Sequence, residues 1–137
     1  MEKIKVLIAD DHRVVREGLA AILKTKEDIH VIGEAQDGAE AVEKARALLP
    51  DVILMGVSMP RMGGVEATRQ VKREFPHIGI VALTMYEEQQ YIFDLVRAGA
   101  TGYLLKDSES SQIVAALRAI SRGESLIQPS VASEILA

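Results

Sequence analysis

Cysteine is absent from all 137 residues, which excludes disulfides, thiolate metal sites and a cysteine nucleophile. No apolar run approaches the ~20 residues that a membrane helix needs. The opening MEKIKVLIADD carries acids where a secretory signal would carry a longer apolar stretch and a cleavage site. Basic charge is also scarce: 16 Lys and Arg face 20 Asp and Glu, for a net charge of -4 and a pI near 5.4. Phosphate contacts need clustered Lys and Arg, so nucleic-acid binding by these residues themselves is not expected. What remains is a globular chain, 48% hydrophobic and 26% charged, long enough for one domain with a sizeable core and expected to be cytoplasmic.

Five short apolar runs alternate with five helical patterns. Lys3 to Ala9 reads as a central strand ending at Asp10 and Asp11. Val15, Leu19, Ile22 and Leu23 recur at helical spacing from Arg13 to Lys24. Ile29 to Ala35 alternates as an edge strand would, and Asp37-Gly38 forms a turn. A second helix follows, with the stripe Ala41, Val42, Ala45, Leu48 and Leu49, and Pro50 ends it. Val52 to Met55 is a strand buried on both faces, stopping at Gly56. Gly64 opens a third helix that Pro76 stops, and Ile78 to Leu83 is a fourth strand ending at Thr84. Glu87 to Ala98 is a helix with Ile92, Leu95 and Val96 inward and Gly99 as its C-terminal stop. Gly102 to Leu105 is a fifth strand ending at Lys106, and Ser108 is placed to cap a last helix from Glu109 to Arg122. Strict alternation with short connections implies an α/β fold: a doubly wound parallel sheet covered by helices on both faces.

In such a sheet the chemistry sits beyond the carboxyl ends of the strands. Those ends offer Asp10 and Asp11, then Gly56 and Ser58, then Thr84, then Lys106, all facing one crevice. Neighbouring carboxylates repel unless a cation lies between them, and hard ions such as Mg²⁺ take oxygen ligands. A hydroxyl and an ammonium opposite would suit a phosphoryl group. Each residue alone has a plainer role: Asp11 as a helix cap, Thr84 as a strand end, Lys106 as a solvated loop lysine. Their joint arrangement favours a site. The histidines at 12, 30 and 77 are too scattered for a histidine metal cluster, and the methionines at 55, 59 and 85 are expected to be packing.

The segments VLIADDHRVVREGL, IGEAQDGAEAVE, PDVILM and, after Gly56, VSMPRMGGVEATR, then IVALTMYEEQQYI and AGATGYLLKD, with the closing IVAALRAISRG, resemble a response-regulator receiver domain of the NarL/FixJ type. The resemblance covers the chain almost end to end. It implies a five-stranded flavodoxin-like sheet in the order 2-1-3-4-5. It implies Mg²⁺ held by Asp10, Asp11 and the backbone carbonyl of Ser58, phosphoryl contacts from Thr84 and Lys106, and Tyr103 as an aromatic switch. It also implies a sensor histidine kinase as partner, and it admits a homodimer. Residues 1–123 would be the receiver. Residues 124–137 would be a linker and the start of a helix, around Pro129, leading to a missing helix-turn-helix DNA-binding domain.

Gly56 departs from that pattern, because the family carries its phosphoacceptor aspartate there. Glycine neither accepts phosphate nor ligates a metal, so the resemblance implies a chain that is not phosphorylated at this position, binds metal weakly and rests mainly inactive. An inactivating substitution fits the otherwise intact pocket. A naturally degenerate receiver, acting as a phosphorylation-independent interaction or dimerisation module, is the alternative. Ser58 is a poor substitute acceptor, since two residues along a loop displace the oxygen by several ångströms. An aspartyl phosphatase would want two aspartates one residue apart, whereas Asp10 and Asp11 are adjacent. A flavin module would want a glycine- and hydroxyl-rich loop after the first strand.

Overall fold

The computed structural model describes residues 2–127. Its elements alternate as β1 (Ile4–Ala9), α1 (Arg13–Leu23), β2 (Ile29–Ala35), α2 (Gly38–Leu48), β3 (Val52–Gly56), α3 (Gly64–Glu74), β4 (Gly79–Thr84), α4 (Ile92–Ala98), β5 (Gly102–Leu105) and α5 (Ser110–Ser121). Hydrogen-bonded neighbours run β2-β1-β3-β4-β5, every pair parallel. This is the expected doubly wound, flavodoxin-like order. β2 is an edge, as its alternating pattern predicts.

Both faces of the sheet are dry because strand side chains alternate with period 2 and each face has its own helices. Leu7, Ile53, Met55 and Ile80 point to one core with Ala41, Val71 and Leu95 of α2, α3 and α4. Val6, Ile8, Leu54 and Val81 point to the other with Leu19 of α1 and Leu117 of α5. Burying a side chain of this size contributes about 1.5–3 kcal/mol, so the sheet is a rigid base for the loops at its carboxyl edge.

Several expectations are corrected by the packing. Val96 is 44% exposed and Ile22 36%; Leu48 and Leu49 are also on the surface. A 3.6-residue stripe covers these positions, but helices this short bury only its centre. Leu49 is moreover the left-handed C-cap of α2. The helix expected from Glu87 is in two parts, a 3-10 turn over Tyr86–Tyr91 and then α4. The cap of α1 is His12, not Asp11. The cap of α5 is Glu109, not Ser108, because Glu109 and Gln112 each bond the other's backbone N–H as a reciprocal box.

Leu126–Ile127, inside the segment expected to be a linker, adds a two-residue strand, β6, parallel to β5. The Pro129 stub lies outside the described residues. No helix among the described residues is long and apolar enough to cross a membrane.

Candidate functional site

β1 and β3 lie side by side at the sheet centre, which brings Asp10 next to Gly56. Asp10 is fully buried. Its Oδ1 accepts from the backbone N–H of His12 at 2.8 Å and lies 3.2 Å from His12 Nδ1. Its Oδ2 lies 2.8 Å from Lys106 Nζ, an ionic contact without aligned hydrogen-bond geometry. Lys106 is itself only 12% exposed along its side chain, so this is a buried ion pair. Arg16 donates to the Asp10 carbonyl at 2.7 Å and steadies the turn out of β1.

Asp11 is more open, with its Oδ1 3.3 Å from His12 Nδ1. The ligand atoms of Asp10, Asp11 and His12 lie within 4.8 Å of one another. His12, by its sequence one of three scattered histidines, therefore belongs to the acidic group. Two adjacent carboxylates, one with a buried oxygen lacking an aligned hydrogen bond, suit a hard divalent cation. Lys106 Nζ lies 2.8 Å from that same oxygen.

Gly56 is the buried last residue of β3. Positive φ among the glycines is confined to Gly99 and Gly123, so no turn requires glycine at this position. A Cβ there would meet Asp10 Oδ2 at 2.9 Å and the Ala9 backbone carbonyl at 3.3 Å, so the carboxylate would have to move and the backbone to give slightly. Gly64 is different: its Cβ would lie 2.0 Å from the Gly56 carbonyl oxygen, so glycine is what lets α3 start tight against β3. Gly56 leaves a gap that the Asp10 carboxylate leans into.

Ser58 and Thr84 stand at the same carboxyl edge, whereas Tyr103 of β5, opposite Ala82, lies two residues back from it. Ser58 is exposed on the loop after β3. Thr84 is fully buried at the end of β4, its hydroxyl donating to the Leu104 carbonyl at 3.3 Å. Tyr103 is buried in β5 and donates its hydroxyl to the Ala100 carbonyl. Burial pushes its phenol up to about 12.

Two features of this edge are not foreseen in the sequence. Glu88, buried in the 3-10 turn, accepts from the backbone N–H of Met85 at 2.9 Å and of Ser58 at 3.2 Å. An acid three residues into a helical stretch is the local signal of a cap, and would have found the first contact but not the second. Arg61, held at φ 65° in the loop after β3, reaches Asp37 Oδ2 through Nε at 2.9 Å and a terminal nitrogen at 2.6 Å. The Glu40 backbone N–H, and then Arg61, hold the Asp37 carboxyl below its ordinary range.

A five-stranded doubly wound domain with an acidic pair and a lysine at its carboxyl edge has the form of a signalling receiver, and comparison with known proteins agrees. The family model "Response regulator receiver domain" matches residues 6–118. The transcriptional regulatory protein LiaR of Bacillus subtilis is 47% identical over 133 residues, which cover 97% of this chain and 63% of LiaR. A two-component response regulator of the LuxR family from Aurantimonas superposes with a TM-score of 0.90 at 32% identity, covering 98% of this chain and 96% of that one. The isolated receiver domain of RcsB from Salmonella enterica, solved in the presence of phosphomimetic BeF3-, does so with a TM-score of 0.85 at 27% identity, covering 97% and 99%. The chain belongs to the response regulator receiver domain family. It spans less than two thirds of the length of the curated relatives it matches first.

Proposed function

We propose that this chain is the receiver of a two-component response regulator in which Gly56 stands at the phosphoacceptor position. The observation that carries this is the pairing of a side-chain-free position at the end of β3 with the buried Asp10–Lys106 contact beside it. A carboxylate at 56 would share that lysine and add a third acid to the cluster. Without it, Lys106 pairs with Asp10, Thr84 bonds the Leu104 carbonyl, and glycine offers no oxygen to accept a phosphoryl group. The chain therefore rests mainly unswitched.

Asp10, Asp11 and the Ser58 carbonyl would hold Mg²⁺, which supplies charge neutralisation to a phosphoryl group when bound. Thr84 and Lys106 would contact that group in a Gly56→Asp variant, with a sensor histidine kinase as the donor. By likeness to LiaR, the output would be transcriptional, through a DNA-binding region in the part of the relatives that this chain does not span. The test is exposure to Mg²⁺ and a small phosphodonor such as acetyl phosphate, followed by intact mass. The chain as it stands gains no phosphoryl group and Gly56→Asp gains one. A phosphoryl adduct on the Gly56 chain would overturn the reading.

A second reading, a phosphorylation-independent interaction module, is favoured by the apolar surface of α4, where Phe93 is 57% and Val96 44% exposed. It calls for self-association of the unmodified chain. Sedimentation of the parent against a Phe93→Ser, Val96→Ser double variant measures it, and a monomeric parent would remove that support.

A further inference from the structure

The Glu88 carboxylate is buried, yet the local rules of helix capping account for only half of what it touches. Its bond from the Met85 N–H, three residues back, caps the 3-10 turn. Its other oxygen takes the Ser58 N–H, 30 residues away on a different loop. Each carboxylate oxygen thus receives one backbone donor, and the two donors come from the segments that leave β3 and β4. Met85 follows Thr84 directly, and Ser58 lies two residues beyond Gly56. Converging backbone N–H groups of this kind form an anion-binding concavity, and here a carboxylate from the same chain fills it.

We propose that Glu88 is an internal anion that occupies the Ser58 and Met85 amides, ties the two loops together and must leave before an external oxyanion can use those amides. The occupant it excludes is a small tetrahedral oxyanion, inorganic phosphate being the simplest. This deepens the proposed receiver function and rests on it only for its regulatory meaning. The contact itself is independent of whether position 56 was ever an acceptor. Its consequence is that the cation and the amides at this edge are each already matched by a carboxylate: Asp10 takes the lysine and Glu88 takes the amides. A ligand entering must displace a carboxylate from each.

The amide resonances of Ser58 and Met85 report this directly. In Glu88→Gln both shift and their hydrogen exchange rises by about tenfold, the scale of a lost charge-assisted hydrogen bond, while amides of β1 and β3 are unchanged. Titration with inorganic phosphate then moves those two resonances at about tenfold lower concentration in Glu88→Gln than in the parent. Glu88→Ala, which removes the carboxylate and its hydrogen bonding together, gives the same phosphate response if folded, and the β1 and β3 amides check that it is. Unshifted Ser58 and Met85 amides in Glu88→Gln would overturn the contact. Shifted amides with an unchanged phosphate response would overturn the competition. The same titration in Gly56→Asp, run beside acetyl phosphate labelling, separates the two ideas. Failure of labelling with a normal phosphate response at the amides counts against the receiver reading alone.

Discussion

At the scale of single residues, the crevice is governed by one buried carboxylate and the cation beside it. Asp10 has no exposure and Lys106 little, so the two form a buried ion pair in which removing one partner strands the other. Replacing Lys106 with Met leaves Asp10 buried and unpaired by a cation, and the expected loss is about 3 kcal/mol of unfolding free energy in urea. Asp10→Asn in the same background removes the stranded charge and recovers much of it; an additive double variant would mean that the two groups do not interact. The sequence makes both residues visible, because each closes a strand whose apolar run is unmistakable. It cannot show that they pair, since they close different strands and meet only through the order of the sheet. Gly56 itself does not have the positive φ that favours glycine, although an added Cβ would crowd Asp10 Oδ2 at 2.9 Å and the Ala9 carbonyl at 3.3 Å. Glu88 is invisible for a different reason. A glutamate in a polar stretch near a helix start carries a signal for its neighbour three residues away, and none for a loop 30 residues distant.

At the scale of elements, the loop after β3 is pinned at both ends of its path. Glu88 holds Ser58, and Asp37, the cap of α2, holds Arg61 while accepting the Glu40 N–H at 2.8 Å. Asp37→Ala should cost about 1 kcal/mol for the cap alone, and should loosen the loop as well, seen as faster exchange of the Met62 and Gly63 amides. The pH dependence follows from the direction of the shift. The folded carboxyl titrates below its ordinary value of 3.8, so the ionised form is favoured by folding. That contribution is fully present above 3.8 and is lost as pH falls through the lower, folded value. Asp37→Ala should therefore flatten the acid limb of a stability-against-pH curve; an unchanged limb would show that other carboxylates set it.

Element identities are legible because β1, β3, β4 and β5 are short apolar runs and the helices between them keep their period. Their edges are not. Glu109 displaces Ser108 as a cap because Gln112 can answer it, and Val96 faces out because a seven-residue helix has room for one buried stripe. The 3-10 turn before α4 reads as α-helix in the sequence, since the two share the spacing of three that a sequence pattern detects.

For the molecule as a whole, the proposed switch chemistry turns on one position, 56. The sheet order and the two cores are built with no side chain at 56. A third carboxylate would alter the electrostatics of the entire carboxyl edge, because Asp10, Asp11 and an aspartate introduced at position 56 would share one lysine. Like charges brought together without a counter-ion destabilise the folded state, and a cation that binds only the folded state restores it by mass action. Gly56→Asp is therefore expected to melt below the parent in EDTA, by an amount matching about 1–2 kcal/mol, and to regain that stability as Mg²⁺ is added. The parent, whose lysine already neutralises its buried acid, should show little dependence on Mg²⁺ over the same range. Calorimetric scans of both chains across a Mg²⁺ series measure the difference. Equal Mg²⁺ responses would mean that the cation site is complete without a side chain at 56. A strong response confined to the Gly56→Asp variant would mean that the gap beside Asp10 is the missing part of that site.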